Sequence, residues 1–110
     1  MNIEEFLQYL EFEKRYSLHT VDSYRRDLIQ FELYLESSYL INKPSDVNDQ
    51  MIRSWLADLM EQGFAAKTVN RKISTLRSYF RFLMRQSVIN TNPAVKIRGP
   101  KQKKRLPEFI

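Results

Sequence analysis

Cysteine is missing from all 110 residues, which excludes a disulfide framework and any zinc site built on thiolates. The one histidine, His19, is too little for a His-built metal site. No metal or other cofactor is therefore expected. A chain without Cys fits a reducing compartment, and a cytoplasmic location is the expectation. Two Gly and four Pro are few, so the punctuation that many short strands need is scarce and long helices are favoured. No apolar run approaches the ~18 residues of a membrane span. The opening MNIEEFLQYLEFEKR has acids where a signal peptide needs bases. There is no internal repeat and no low-complexity tract.

Acid is the most informative absence. Residues 62–107 hold twelve Lys or Arg and no Asp or Glu, whereas residues 1–61 hold six bases and twelve acids. The net charge of +5 hides this division. A random scatter of charge would rarely leave 46 consecutive residues without an acid. Such asymmetry points to an acidic partner, most simply nucleic acid, with a solubilising surface as the plain alternative.

What is present reads as one folded helical domain with a modest core: 43% hydrophobic residues, seven Phe, six Tyr and one Trp. Four helical patterns emerge and no convincing strand. The first runs from about Asn2 to Lys14, with Ile3, Phe6, Leu7 and Leu10 on one stripe. A second runs from about Thr20 to Ser37 on Val21, Tyr24, Leu28, Phe31 and Leu35, with Ser17, His19 or Thr20 as its cap. The third starts at Asn48, an apt N-cap, with Asp49 favourable in the first turn. Its apolar face is Ile52, Trp55, Leu56, Leu59 and Met60, and Gly63 suits the position just past its end. The fourth is KTVNRKISTLRSYFRFLMRQ, residues 67–86, with a stripe of Val69, Ile73, Leu76, Phe80 and Leu83. Pro44 breaks the loop between the second and third helices, GFAA joins the third to the fourth, and Asn92 with Pro93 makes a short capped turn. Trp55, Phe80, Phe31 and Tyr24 are core residues on this reading.

With its stripe inward, the fourth helix shows Lys67, Arg71, Ser74, Ser78, Arg81 and Arg85 on the other side, flanked by Lys72 and Arg77. Small hydroxyl residues between bases let a helix lie close to DNA. Arg pairs phosphate or guanine bidentately, and Ser donates to phosphate. The second helix offers His19, Thr20, Ser23, Arg26 and Gln30 away from its stripe, with free backbone N–H groups at its start that suit a phosphate. Taken singly, Thr20 is as readily a cap and Arg26 a solvated charge.

SLHTVDSYRRDLIQFELYL followed by AAKTVNRKISTLRSYFRFLMRQSVINTNPA resembles the N-terminal core-binding domain of tyrosine recombinases, the phage-integrase family. The pattern is Thr-Val-x-x-Tyr-Arg-x-Asp-Leu, then Thr-Val-x-Arg-x-Ile-Ser-x-Leu-Arg-x-Phe/Tyr-x-Phe-Leu, an Asn-Pro-Ala turn and a basic LPEF-type linker. Order and spacing cover nearly the whole chain, most like Xer-type recombinases and Bacteroidetes integrases. The resemblance implies an all-α, four-helix SAM-like orthogonal bundle over residues 1–97 that forms half of a clamp on double-stranded DNA. A basic linker, 98–110, would lead to a separate catalytic domain. By position, His19, Thr20 and Ser23 match groove-side residues of one helix, and Lys67, Thr68, Asn70, Arg71 and Ser74 those of another. Arg26, Arg77 and Arg81 extend the expected DNA surface. Lys101, Lys103, Lys104 and Arg105, with Arg98, are expected to follow the DNA backbone and to be mobile without it.

The family's catalytic domain carries a Tyr nucleophile with two Arg and His-type residues around the phosphoryl group. None of Tyr9, Tyr16, Tyr24, Tyr34, Tyr39 or Tyr79 matches that nucleophile, and His19 falls on the DNA side. The expectation is a DNA-binding half without chemistry, no enzyme as it stands, with no membrane contact. The resemblance further implies a parent tetrameric on DNA and an isolated domain that is monomeric. Two other readings compete: a stand-alone helical DNA-binding regulator, and a helical protein-interaction module whose basic face meets an acidic partner.

Overall fold

The computed structural model describes residue 1 and residues 3–101, and every described element is helical. Helix α1 (Ile3–Gln8) runs directly into a π-helical turn, Tyr9–Glu13. Helix α2 spans Leu18–Tyr39, a 3-10 turn covers Pro44–Asp46, α3 spans Asp49–Glu61 and α4 spans Ala66–Arg85. The expected four-helix, all-α architecture is therefore present.

Local chemistry sets the starts of the helices. Ser17 caps α2 by accepting the Thr20 N–H at 3.2 Å, and Asn48 caps α3 by accepting the Met51 N–H at 2.9 Å. The second helix thus begins at Leu18, two residues before the periodicity suggests, because Ser17 rather than Thr20 is the cap. Asn92 closes its turn by accepting the Ala94 N–H at 2.9 Å. The first helix differs from the sequence reading in winding. Lys14 N–H bonds the Tyr9 carbonyl five residues back, and Tyr16 N–H then reaches Leu10. The extra residue in this turn leaves Arg15 at φ 56°.

A single core joins the helices, and α4 lies at its centre, packed on both α2 and α3. Phe6 of α1 meets the rings of Tyr79 and Phe82, each at 5.5 Å. Phe31 of α2 lies 4.9 Å from Trp55 of α3 and 6.4 Å from Phe80 of α4. The five-residue stripe of α4 is buried as expected, but so are Lys72, Thr75, Tyr79 and Phe82. A helix packed on several neighbours buries more than one stripe. Lys72, placed by periodicity on the flank of the basic face, is therefore a core residue. Met60 corrects the other way: it is 44% exposed, because α3 turns only its Ile52–Leu59 face to α4. Tyr24 is half-buried between core and surface.

After α4 the chain folds back on it. Arg77 donates to the carbonyls of Ala94 (3.2 Å) and Ile97, and Ala94 and Ile97 plug the core. Asn70 donates to the Ala66 carbonyl at 2.9 Å and to the Pro100 carbonyl at 2.8 Å. Gly99 lies so close to Asn70 and Ile73 that a Cβ there would stand 1.8 Å from Asn70 Oδ1. The segment at 98–100 is thus anchored to α4, whereas the sequence suggested mobility from Arg98 onward. Of the basic residues beyond it, Lys101 is exposed, and Lys103, Lys104 and Arg105 lie outside the described residues.

Candidate nucleic-acid interface

The first turns of α2 and the first half of α4 face each other across a groove. His19, Thr20, Ser23 and Tyr24 line one wall, and Arg71, Ser74 and Thr75 the other. The groove continues past Arg26 and Gln30 toward Lys72. Two sets of residues about 50 positions apart in sequence are thus brought to one surface.

Asp27 forms the floor. It is 1% exposed and would be costly to bury as a lone anion. Three donors meet it: Arg71 Nη2 at 2.8 Å and Lys72 Nζ at 2.9 Å on Oδ1, and the Thr75 hydroxyl at 2.9 Å on Oδ2. Lys72 is itself buried and lies 5.5 Å from the Phe64 ring centroid. Arg71 is different, because its side chain remains about half exposed. Asp27 takes one of its nitrogens, and a guanidinium has five N–H donors. Arg71 is therefore held by one edge while further donors remain for a ligand.

The other expected site residues separate into groups. Lys67 is exposed in the first turn of α4, and Ser74 is exposed a turn and more beyond it. Thr68 is half-buried, and the Thr20 hydroxyl accepts from Ser17 at 3.0 Å. Arg26 pairs with Asp22 at 3.8 Å on open surface. Asn70 and Arg77 are not in the groove, since their donors hold the returning chain at Pro100, Ala94 and Ile97. Arg81 is exposed farther along α4, beside the end of α1.

Sequence reasoning missed Asp27, Lys72 and Thr75 as organisers of this groove. A signal existed for the first: Asp27 stands three residues after Tyr24 and four before Phe31, on the apolar spacing of α2. Burial, with the Tyr16 phenol beside it, pushes the ionisation of the Tyr24 hydroxyl above its ordinary range. Among the described residues no three or more of His, Cys, Asp and Glu are grouped to hold a metal ion, and no helix is long and apolar enough to cross a membrane.

A four-helix domain with a polar, base-rimmed groove between its second and fourth helices defines a class. Residues 3–87 match the family "Phage integrase, N-terminal SAM-like domain", and the chain belongs to that family. It is 45% identical to tyrosine recombinase XerC of Alcanivorax borkumensis over 98% of this chain and 34% of that protein. It is 37% identical to tyrosine recombinase XerC of Bacillus subtilis over 98% of this chain and 35% of that one. Tyrosine recombinase XerD of Staphylococcus haemolyticus is 36% identical over 98% and 36%. The chain thus spans about a third of the length of these relatives. The integrase from mycobacterium phage Brujita shares the fold with a TM-score of 0.76 at 23% identity, over 96% of this chain and 34% of that one.

Proposed function

We propose that this chain is the DNA-binding N-terminal part of a site-specific tyrosine recombinase. It grips duplex DNA at a recombination half-site so that a separate C-terminal domain can cut and rejoin the strands. The observation that carries this is the groove between α2 and α4, where an edge-held Arg71 stands among His19, Ser23 and Ser74. Lys67 adds charge at the start of α4. The recombinase names of relatives that match along the whole chain support the same reading. The chain itself is proposed to do no chemistry on DNA. A covalent adduct between it and a nicked duplex would overturn that part.

Arg71→Ala tests the groove. Asp27 keeps Lys72 and Thr75 as partners in this variant, so the fold should survive, as circular dichroism can check. On the preferred duplex, selected from a randomised pool, the loss should be about 1–3 kcal/mol, roughly 5- to 150-fold in affinity. On random duplexes it should be much smaller. Failure of the unaltered chain to bind any duplex at low salt would reject the DNA reading and favour an acidic protein partner for the basic face.

A further inference from the structure

Beyond the groove, a second and smaller cleft opens where the π-turn of α1 meets the far half of α4. Three cations line it, Lys14, Arg81 and Arg85, and no carboxylate does. None of the three forms an ion pair among the described residues. Hydroxyls stand between them: Tyr9, Tyr16, Tyr24 and Ser78. Arg85 Nη1 donates to the Tyr9 hydroxyl at 3.0 Å, which leaves that O–H as a donor in its turn. Phe6 and Phe82 close the back with apolar surface, which strengthens any charge interaction in front of them.

The backbone here is unusual. The π-turn, and Arg15 at φ 56° after it, bring Lys14 and Tyr16 to the cleft. A left-handed non-glycine residue is strained, and single π-turns in α-helices gather at functional sites. The cleft measures about 90 Å³, far below the roughly 300–1,000 Å³ of cofactor sites. It suits one small tetrahedral anion. Tyr24 lines both this cleft and the α2–α4 groove, so the two adjoin at that side chain.

We infer that this second cleft seats a phosphate of the DNA backbone, held by Lys14, Arg81 and Arg85 with the Tyr9 and Tyr16 hydroxyls as added donors. The inference rests on the DNA-binding reading above. It adds a sequence-independent contact to the groove, and it brings Lys14, which caps the end of the π-turn outside the groove, into the interface.

The test measures binding of the 110-residue chain to random roughly 20-bp duplexes between 50 and 200 mM salt. Each phosphate contact adds about 0.9 to the slope of log affinity against log salt. The double variant Lys14→Gln/Arg81→Gln should lower the slope by that amount, so its affinity falls about 3.5-fold less across the range. The reduction should be equal on all sequences. Arg81→Lys, which keeps the charge, should keep the slope. An unchanged slope in the double variant, with helicity intact, overturns the inference. If Arg71→Ala still loses discrimination in that case, the DNA reading stands and only the cleft fails. If the unaltered chain binds no duplex, both fall together. Inorganic phosphate supplies the second arm. Its shifts of the Tyr16 and Tyr24 ring resonances should be displaced by duplex DNA. Phosphate that DNA does not displace marks a free-anion site and overturns the inference.

Discussion

At its N-terminal end α4 presents Lys67, Arg71 and Ser74, and at its C-terminal end Ser78, Arg81 and Arg85. Each end carries two bases and one serine at steps of three and four, yet the neighbours differ. Near the N-terminus a buried carboxylate, Asp27, fixes Arg71 by one edge and neutralises a buried Lys72. At the other end, among the described residues, no acid faces the cations, and Arg85 is oriented only by the Tyr9 hydroxyl. A guanidinium held in one direction suits discrimination between bases. Cations gathered without a fixed partner suit charge alone. One periodic strip thus divides into a directional half and an electrostatic half.

The largest perturbation should erase this difference. Both halves stand on the layer of Phe31, Trp55 and Phe80. Trp55 is buried, and Trp55→Ala should cost about 3–5 kcal/mol, a large share of the roughly 5–15 kcal/mol that holds a domain together. Denaturant unfolding measures it. A loss under about 1 kcal/mol would mean that the ring is not part of the support of α4.

Asp27→Asn should affect one half only. It leaves Lys72 buried opposite a neutral amide, and breaking a buried pair in this way costs about 3–5 kcal/mol. Arg85→Ala, at the open end, should stay within about 0.5 kcal/mol. Comparable losses in the two variants would break the distinction between the ends. A smaller effect belongs to the returning chain. In Gly99→Ala the new Cβ would meet Asn70 Oδ1 at 1.8 Å and Ile73 Cδ1 at 2.7 Å. Either Asn70 turns away and loses Pro100, or the segment lifts. Overpacking of this kind costs about 1–3 kcal/mol. Amide exchange should quicken at 98–101 and in the first turn of α4, and remain unchanged at Arg81. Unaltered exchange at both places would deny the anchor.

The sequence made the scaffold readable because its signals are local. Val69, Ile73, Leu76, Phe80 and Leu83 repeat with the helical period, and Ser17 and Asn48 each cap within three residues. The groove was half legible: its exposed residues were found, but not what organises them. Lys72, Thr75, Tyr79 and Phe82 recur at three and four just as the apolar stripe does. Lys72 reads as flank because Lys is polar. The burial of Lys72 and Thr75 depends on Asp27, 45 and 48 residues away from them. No window on one helix contains that pairing. The roles of Asn70 and Arg77 as anchors are equally invisible within one helix, since the carbonyls they hold lie in the chain that returns after α4. The π-turn was hidden because one extra residue leaves Ile3, Phe6, Leu7 and Leu10 in helical register.

Tyr79 belongs to the C-terminal half of α4 and faces the core. Its ring is fully buried, and its hydroxyl has no hydrogen-bond partner among the described residues. Burial pushes its ionisation well above the ordinary tyrosine value. The folded state therefore keeps the proton while the unfolded chain releases it near pH 10. Stability is complete below that pH and falls as pH rises beyond it. Tyr79→Phe removes a desolvated hydroxyl, so it should stabilise by about 1 kcal/mol and flatten the alkaline decline. Destabilisation with an unchanged alkaline limb would mean that the hydroxyl has a partner after all.

The smallest effect concerns how the electrostatic end of α4 is closed. Ser87 sits at φ 59°, with its N–H on the Met84 carbonyl at 3.0 Å, and the Val88 N–H reaches Leu83 at 3.0 Å. Helix α3 closes the same way: the Phe64 N–H reaches Leu59 at 3.1 Å, but there Gly63 takes the left-handed position at φ 91°. A side chain in that conformation costs about 1–2 kcal/mol. Glycine loses more freedom on folding, which returns about 0.5–1 kcal/mol of that gain. Ser87→Gly should therefore stabilise by about 0.5 kcal/mol net, and Gly63→Ala should destabilise by about 1 kcal/mol. The gain should slow amide exchange in the last turn of α4, around Arg85, and leave exchange at Arg71 as it was. That contrast follows from the division of the strip: Asp27 already fixes the Arg71 side chain in the first half, whereas Arg85, in the last turn of the second, is held only by the helix end and the Tyr9 hydroxyl. If Ser87→Gly slows exchange at Arg71 as much as at Arg85, α4 behaves as one rigid unit, and its two ends differ in neighbours but not in order.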